Sequence, residues 1–388
     1  MKLRKLLFVA VPVLVLAALP LVFGFTPSID DDGEVHQSER HSFTVETVAE
    51  GLGLPWGMTF LPDGRMLVTE KEGPIKVVSP DGTVSAPLAG TPEVCFCGQG
   101  GMLDVELHPD FENNRWVYLT YSDPVQQGDQ QISNTVLVRA KLSADATALT
   151  DMETLFKADE ATYTRRPHHF GSRIVFDDEG FVYFTIGDRG QQDQAQDLSL
   201  PNGKTHRLHD DGRIPADNPF VNQAGALPSI WTYGNRNAQG MAIHPDGSIW
   251  TNEHGPRGGD ELNLMRSGVN YGWPVITYGI NYNGTPITDI VEKEGMEQPV
   301  HYWLPSIAVS GMAFYDGDAF SEWYGDALVV SLAYMELQRL DMHEGKVTHV
   351  EVVHNPGARI RDIEVGPDGN VYLAMESDKI VRLVPAEA

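Results

Sequence analysis

Positive charge and cysteine are scarce in this chain of 388 residues. Lys and Arg number 28 against 54 Asp and Glu, and only two cysteines occur. A formal charge of −26 repels nucleic acid and anionic lipid, so no DNA or RNA partner is expected. Cys95 and Cys97, one residue apart, have no further cysteine with which to complete a zinc site. They form either a tight disulfide or two buried thiols. Long amphipathic helical patterns are also missing, which argues against helical and mixed architectures. Long uncharged runs are rare as well. The run from Leu6 to Ile29 follows Lys2, Arg4 and Lys5, the order of a signal peptide or an N-terminal membrane anchor over 1–29. It implies an exported protein, in the periplasm or on the outer face of the cytoplasmic membrane. Residues 30–41 read as a polar linker, and 42–388 as one domain.

Glycine and proline, by contrast, are plentiful, at 38 and 25, and they punctuate a recurring unit. Phe60-Leu61-Pro62-Asp63-Gly64, Ala242-Ile243-His244-Pro245-Asp246-Gly247 and Glu364-Val365-Gly366-Pro367-Asp368-Gly369 each separate two short β-branched or aromatic runs. Related units cover Met102 to Tyr121, Ser172 to Asp188 and, with a longer turn, Gly311 to Ser331. Proline presets φ for the turn, aspartate closes it, and glycine supplies φ > 0. Six copies spaced by roughly 45–70 residues predict an all-β, six-bladed propeller of four-stranded blades. The run Ser42 to Val48 is expected to complete the last blade beside Asp378 to Val384 and close the ring. Two β-sandwiches would not explain one motif recurring along the whole chain.

Loops at the blade junctions are where distant residues can converge. Four stand out: 97–101, 166–173, 233–274 and 359–362. His169 is a base whose ordinary pKa suits proton abstraction near neutrality. Asp188, ending a strand of the same unit, either orients a partner or caps a turn. Arg236, Arg359 and Arg361 are fixed planar cations suited to carboxylates. Arg359 and Arg361 lie two apart, on one face of a strand. The main-chain carbonyls of Gly255 and Pro256 are oxygens of the kind a hard divalent cation accepts.

In combination, Gly-Gln-Gly-Gly (98–101), His-His-Phe-Gly (168–171), Gly-Asn-Arg-Asn-x-Gln-Gly (234–240), Glu-x-Gly-Pro (253–256), Asn-Tyr-Gly-Trp-Pro (270–274) and Arg-x-Arg-Asp (359–362) resemble the soluble quinoprotein sugar dehydrogenases, nearest their aldose sugar dehydrogenase branch. The resemblance covers about Leu54 to Pro385. It implies oxidation of an aldose sugar at C1 to the lactone, with pyrroloquinoline quinone (PQQ) and calcium as cofactors and an external electron acceptor. His169 would be the base. Arg236 and Asn237 would contact the quinone oxygens, Gln99 would line the pocket, and Arg359 and Arg361 would hold the cofactor carboxylates. Trp303 and Ser306 would also line the pocket. Gly255 and Pro256 would bind the catalytic calcium, with Glu261 and the Tyr271 carbonyl at a second ion. One position departs from the family: Ala333 stands where a lysine is usual. Lys204 and Arg189 are candidates to compensate.

Two other functions fit the same scaffold. One is a non-catalytic exported propeller that binds glycans or a protein. The other is a calcium-dependent, lactonase-like hydrolase, which would need a carboxylate-rich metal site. A homodimer and membrane attachment through residues 1–29 are left open by the sequence.

Overall fold

Each recurring unit becomes an antiparallel pair of strands because its turn is chemically prepared. At 61–65, Leu61 N donates to Arg65 O at 2.7 Å, Arg65 N donates to the Asp63 carboxylate at 3.1 Å, and Gly64 takes φ 83°. The same Asx contact recurs where Ser248 N meets Asp246 and Asn370 N meets Asp368. Within the strands that flank each turn, apolar side chains are buried on both faces, as in Met66–Glu70 and Val371–Met375. That pattern suits sheets packed against a neighbour on each side.

The computed structural model describes residues 33–386, so the export segment lies outside the described residues. Six antiparallel sheets are arranged as a propeller. Their first and second strands, in chain order, are Pro55–Phe60 and Met66–Glu70, Met102–Leu107 and Trp116–Gln127, Ile174–Phe176 and Phe181–Ile186, Ala238–Ile243 and Ile249–Glu253, Val309–Phe314 and Ala327–Ser331, and Ile360–Val365 and Val371–Met375. All six sequence units fall on these pairs. Four of the sheets have four strands. The first has three, with Val84 bridging Val78 where a fourth would run. The last has five, because Ser42–Ala49 pairs with Lys379–Pro385, and His36–Gln37 adds an edge strand. The two ends of the domain therefore share one blade, as the sequence led us to expect. His36 and Gln37, within the stretch read as a linker, are attached to that blade.

The apolar core lies between blades. Leu61 and Leu67 pack with Val105 and Leu119 at one junction, and Leu328 and Val330 with Ile363 and Leu373 at another. The axis of the ring is crossed by Arg173. Its guanidinium reaches Asp104 at 2.9 Å, Asp362 at 2.6 Å and the Gln239 carbonyl at 2.6 Å, and lies 4.5 Å from the Trp56 ring centroid. These contacts join five blades and form a floor.

A candidate active site at the loop face

Every blade sends its first strand away from one face of the ring and returns to it along the second. The Pro-Asp-Gly turns occupy the far face. Residues just before a first strand, or just after a second one, therefore meet on the near face. Gln99, His169, Arg236, Asn237 and Arg359 occupy the former positions, Arg361 is the second residue of its strand, and Lys71, Asp188, Gly255 and Glu376 occupy the latter.

His169 adopts φ 61° and its backbone N–H donates to the Gln99 side-chain oxygen at 2.7 Å. Nδ1 lies 2.6 Å from Asp188 Oδ1. Asp188 is fully buried and is held from the other side by Trp273 Nε1 at 2.8 Å and Gly190 N at 2.6 Å. A carboxylate so fixed holds Nδ1 as the protonated nitrogen and leaves Nε2 as the base. Burial, and then the Arg236 charge, lower the His169 pKa to about 4. Burial alone would raise Asp188, but the His169 hydrogen bond, the imidazole and Arg236 outweigh it and hold the carboxyl below its ordinary range. The pair is thus neutral imidazole and ionised carboxylate at neutral pH.

Beside this dyad lies a cavity of about 400 Å³ bordered by Gln99, Trp56, His254, Tyr282, Lys71, Arg359, Arg361 and Glu376. Three fixed or protonated cations face one carboxylate there. Glu376 accepts hydrogen bonds from both Arg359 Nε and Arg361 Nε. Burial raises its pKa less than Arg361 and the other charge and hydrogen-bond contacts lower it, so it stays ionised. A net positive cavity within a chain of charge −26 suits a polyanionic ligand.

The third part is built on the loop after Ile249–Glu253. Arg236 Nη1 donates to the carbonyls of His254 and Gly255, each at 3.0 Å. Asp260 gathers the Gly255 amide at 2.8 Å, the Ala308 amide at 2.8 Å and the Ser306 hydroxyl at 2.7 Å. A Cβ on Gly255 would lie 2.2 Å from the Gly258 carbonyl oxygen, so only glycine fits. Behind it, Glu253 and Glu261 border a void of about 10 Å³ with Arg236, Gly255 and Thr277. Asn263 Nδ2 touches both carboxylates, at 3.3 and 3.2 Å. Burial, and then the charge of Glu253, push Glu261 well above its ordinary value. A buried and a half-buried carboxylate with carbonyl oxygens nearby are a donor set for a hard divalent cation. Among the described residues no group of three His, Cys, Asp or Glu could hold a metal, so carbonyl ligands would be needed.

The expected residues are thus gathered unequally. Gln99, Arg359 and Arg361 border the cavity, with His169 and Arg236 adjoining it. Asn237 is spent on structure, its side-chain oxygen accepting from Gly171 N at 3.1 Å. Ser306 acts on Asp260. The Trp303 indole donates to Gln338 at 2.9 Å within the core between the fourth and fifth blades, away from both hollows. Tyr271 packs in a core cluster with its hydroxyl on the Leu264 carbonyl. Lys204 and Arg189 do not supply a cation to the cavity. Lys204 Nζ is bound by the carbonyls of Gln194, Ala195 and Asn202, and Arg189 is spent on the carbonyls of Arg166 and His168, over the Phe170 ring. Cys95 and Cys97 form a disulfide just before Gln99. Sequence reasoning missed Lys71, Glu376, Asp260, Glu253, Trp56 and Trp273. Glu253 and Trp273 lie inside quoted motifs, whereas Glu376 and Lys71 show themselves only through their position after a second strand.

A family model described as glucose / sorbosone dehydrogenase matches residues 52–382. The aldose sugar dehydrogenase YliI of Escherichia coli is 42% identical over 348 residues, covering 88% of this chain and 92% of its own. The crystal structure of the soluble aldose sugar dehydrogenase from Escherichia coli, in the apo-form, superposes with a TM-score of 0.84 at 40% identity, over 89% of this chain and all of that one. A PQQ-bound aldose sugar dehydrogenase from Streptomyces coelicolor matches with a TM-score of 0.72 at 26% identity, over 88% of this chain and 98% of its own.

Proposed function

The chain belongs to the glucose / sorbosone dehydrogenase family, and on that premise we propose that this sugar oxidoreductase converts aldoses to lactones at C1. We assign it PQQ and calcium as cofactors and an external electron acceptor. The observation that carries the reading is the His169–Asp188 pair beside a cavity with more cations than carboxylates. PQQ is a tricarboxylate, and when bound it would supply the two-electron acceptor for the C1 hydride. Calcium, when bound by the Gly255 and Pro256 carbonyls, would act as a Lewis acid.

The chain's own residues supply the rest. His169 Nε2 takes the proton from the C1 hydroxyl, and Asp188 stabilises the imidazolium that results. Arg236 places a fixed positive charge beside the dyad, suited to stabilising developing negative charge. Arg359 and Arg361 would hold carboxylates. Glu253 joins Glu261 and the Tyr271 main-chain carbonyl as a candidate ligand of the second ion. The void that Glu253 and Glu261 border admits an ion but no sugar lactone, which weighs against the hydrolase reading. No described helix is long and apolar enough to cross a membrane; we assign export to residues 1–29.

Reconstitution of the purified protein with PQQ and calcium should restore reduction of an artificial dye by glucose or another aldose. Binding of PQQ without turnover on any aldose would favour the non-catalytic propeller. Absence of both a PQQ spectral change and turnover would remove the dehydrogenase reading altogether.

A further inference from the structure

Lys71 follows the second strand of the first blade, and its Nζ donates to the Gly98 carbonyl at 2.6 Å. That carbonyl belongs to the loop that carries Gln99. The side chain is half-buried on the border of the cation-lined cavity. Among the described residues it forms no ion pair. The single carboxylate on the cavity border, Glu376, is divided between Arg359 and Arg361. Burial, and then the charge of Arg361, depress the lysine's pKa.

The ammonium keeps access to solvent at its Gly98 contact and lies 5.6 Å from the Phe96 ring centroid, on a border where three cations share the one carboxylate of Glu376, so the border carries excess positive charge. The Gly98 carbonyl and the Phe96 ring hold the flexible stem along this border, where a bound anion would meet the ammonium. Blade order adds a second point. Ala333 leaves the fifth blade, the arginine pair opens the sixth, and Lys71 closes the second strand of the first. The arginines are therefore flanked by a cation on the first-blade side and by a neutral residue on the fifth-blade side.

We propose that Lys71 is a cofactor-binding residue, the third cation of the cavity, which pairs with a carboxylate of the bound polycarboxylate and ties it to the Gln99 loop. The assignment rests on the PQQ reading above.

The test is a PQQ titration followed by tryptophan fluorescence quenching, at fixed calcium and at several salt concentrations, alongside a thermal melt. Lys71→Met should raise the Kd about ten- to a hundredfold, as loss of one charge-assisted hydrogen bond implies. It should also flatten the dependence of Kd on salt, because one fewer charge is engaged. Lys71→Arg should stay within about threefold of the parent, since it keeps the charge. Lys71→Gln, similar in length, repeats the test if the methionine variant does not fold. Equal affinity and equal salt dependence in the parent and the neutral variants would overturn the role of Lys71 while leaving PQQ binding intact. A parent protein that does not bind PQQ would overturn the cofactor reading and this assignment with it.

Discussion

The role proposed for His169 depends on its neighbours as much as on its own type. Asp188 sets the tautomer, Gln99 holds the backbone amide, and burial with Arg236 keeps the ring neutral. In the reconstituted enzyme, His169→Gln should lower kcat about 10²- to 10⁴-fold, the usual worth of a positioned base, while PQQ still binds. The acid limb of kcat/KM should fall near pH 4, because the base stays neutral until pH drops through its lowered pKa of about 4. A limb at the ordinary histidine value, near 6.5, would show that the ring is not desolvated as described. His168-His169-Phe170-Gly171 marked the junction in the sequence, but the residues alone left His169 equally open to a structural role, and only the resemblance singled it out as a base. The direction of Trp303 was not legible, because it depends on which face of a strand the residue occupies. Sequence names the residue and register decides the face.

At the scale of elements, the loop 254–260, to which we assign an ion, is held in shape by Asp260. Asp260 itself accepts from Gly255, Ser306 and Ala308. Buried Glu253 and half-buried Glu261 have raised pKa values, through burial first, and a bound cation would lower both. Adding calcium should therefore raise the Tm and release protons into a weakly buffered solution. Glu261→Gln removes one of the two closely spaced carboxyl groups. It should raise the Tm of the metal-free protein and weaken its response to calcium. A calcium response unchanged by that substitution would place the ion elsewhere. The Gly255-Pro256 carbonyls could be read from the sequence as oxygen donors, but the partnership of Glu253 with Glu261 could not. Those two residues sit on adjacent strands, opposite each other in register, a pairing that no local motif records.

The whole molecule is closed twice, at the rim by Ser42–Ala49 on the last blade and at the axis by Arg173 between Asp104 and Asp362. The rim closure was visible in the sequence because a strand pattern precedes the first repeat. The axial one was hidden, since Arg173 lies in a junction loop that reads equally well as part of a ligand site. Arg173→Met would strand two buried carboxylates without their counter-charge. It should cost about 3–5 kcal/mol in a denaturant melt.

The buried ionisable groups also set the response of the fold to pH. Burial lowers His206 and His254 to about 3 and His169 to about 4, so below 6.5 the unfolded chain binds protons that the native one refuses. Their contribution is complete above 6.5 and is lost as pH falls from there towards 3. Glu106, raised to about 8 chiefly by burial, works the other way. The native state keeps its proton where the unfolded chain has lost it, so stability declines as pH climbs from about 4.5 towards 8. Glu106 shares its hollow at the axis with Asp104 and Glu364, whose carboxyls burial raises as well, so the alkaline decline belongs to several groups and the histidines contribute to the acid one. In chelator, the histidines should therefore make the Tm fall as pH drops below 6.5. His206, which is fully buried between Ser229 and the Pro201 carbonyl, gives the sharper version of the test. Replacing it with Gln removes one titrating group, so the variant's stability should fall less steeply between pH 6.5 and 4, whatever its absolute value. An unchanged slope would mean that the acid limb arises from groups other than the buried imidazoles.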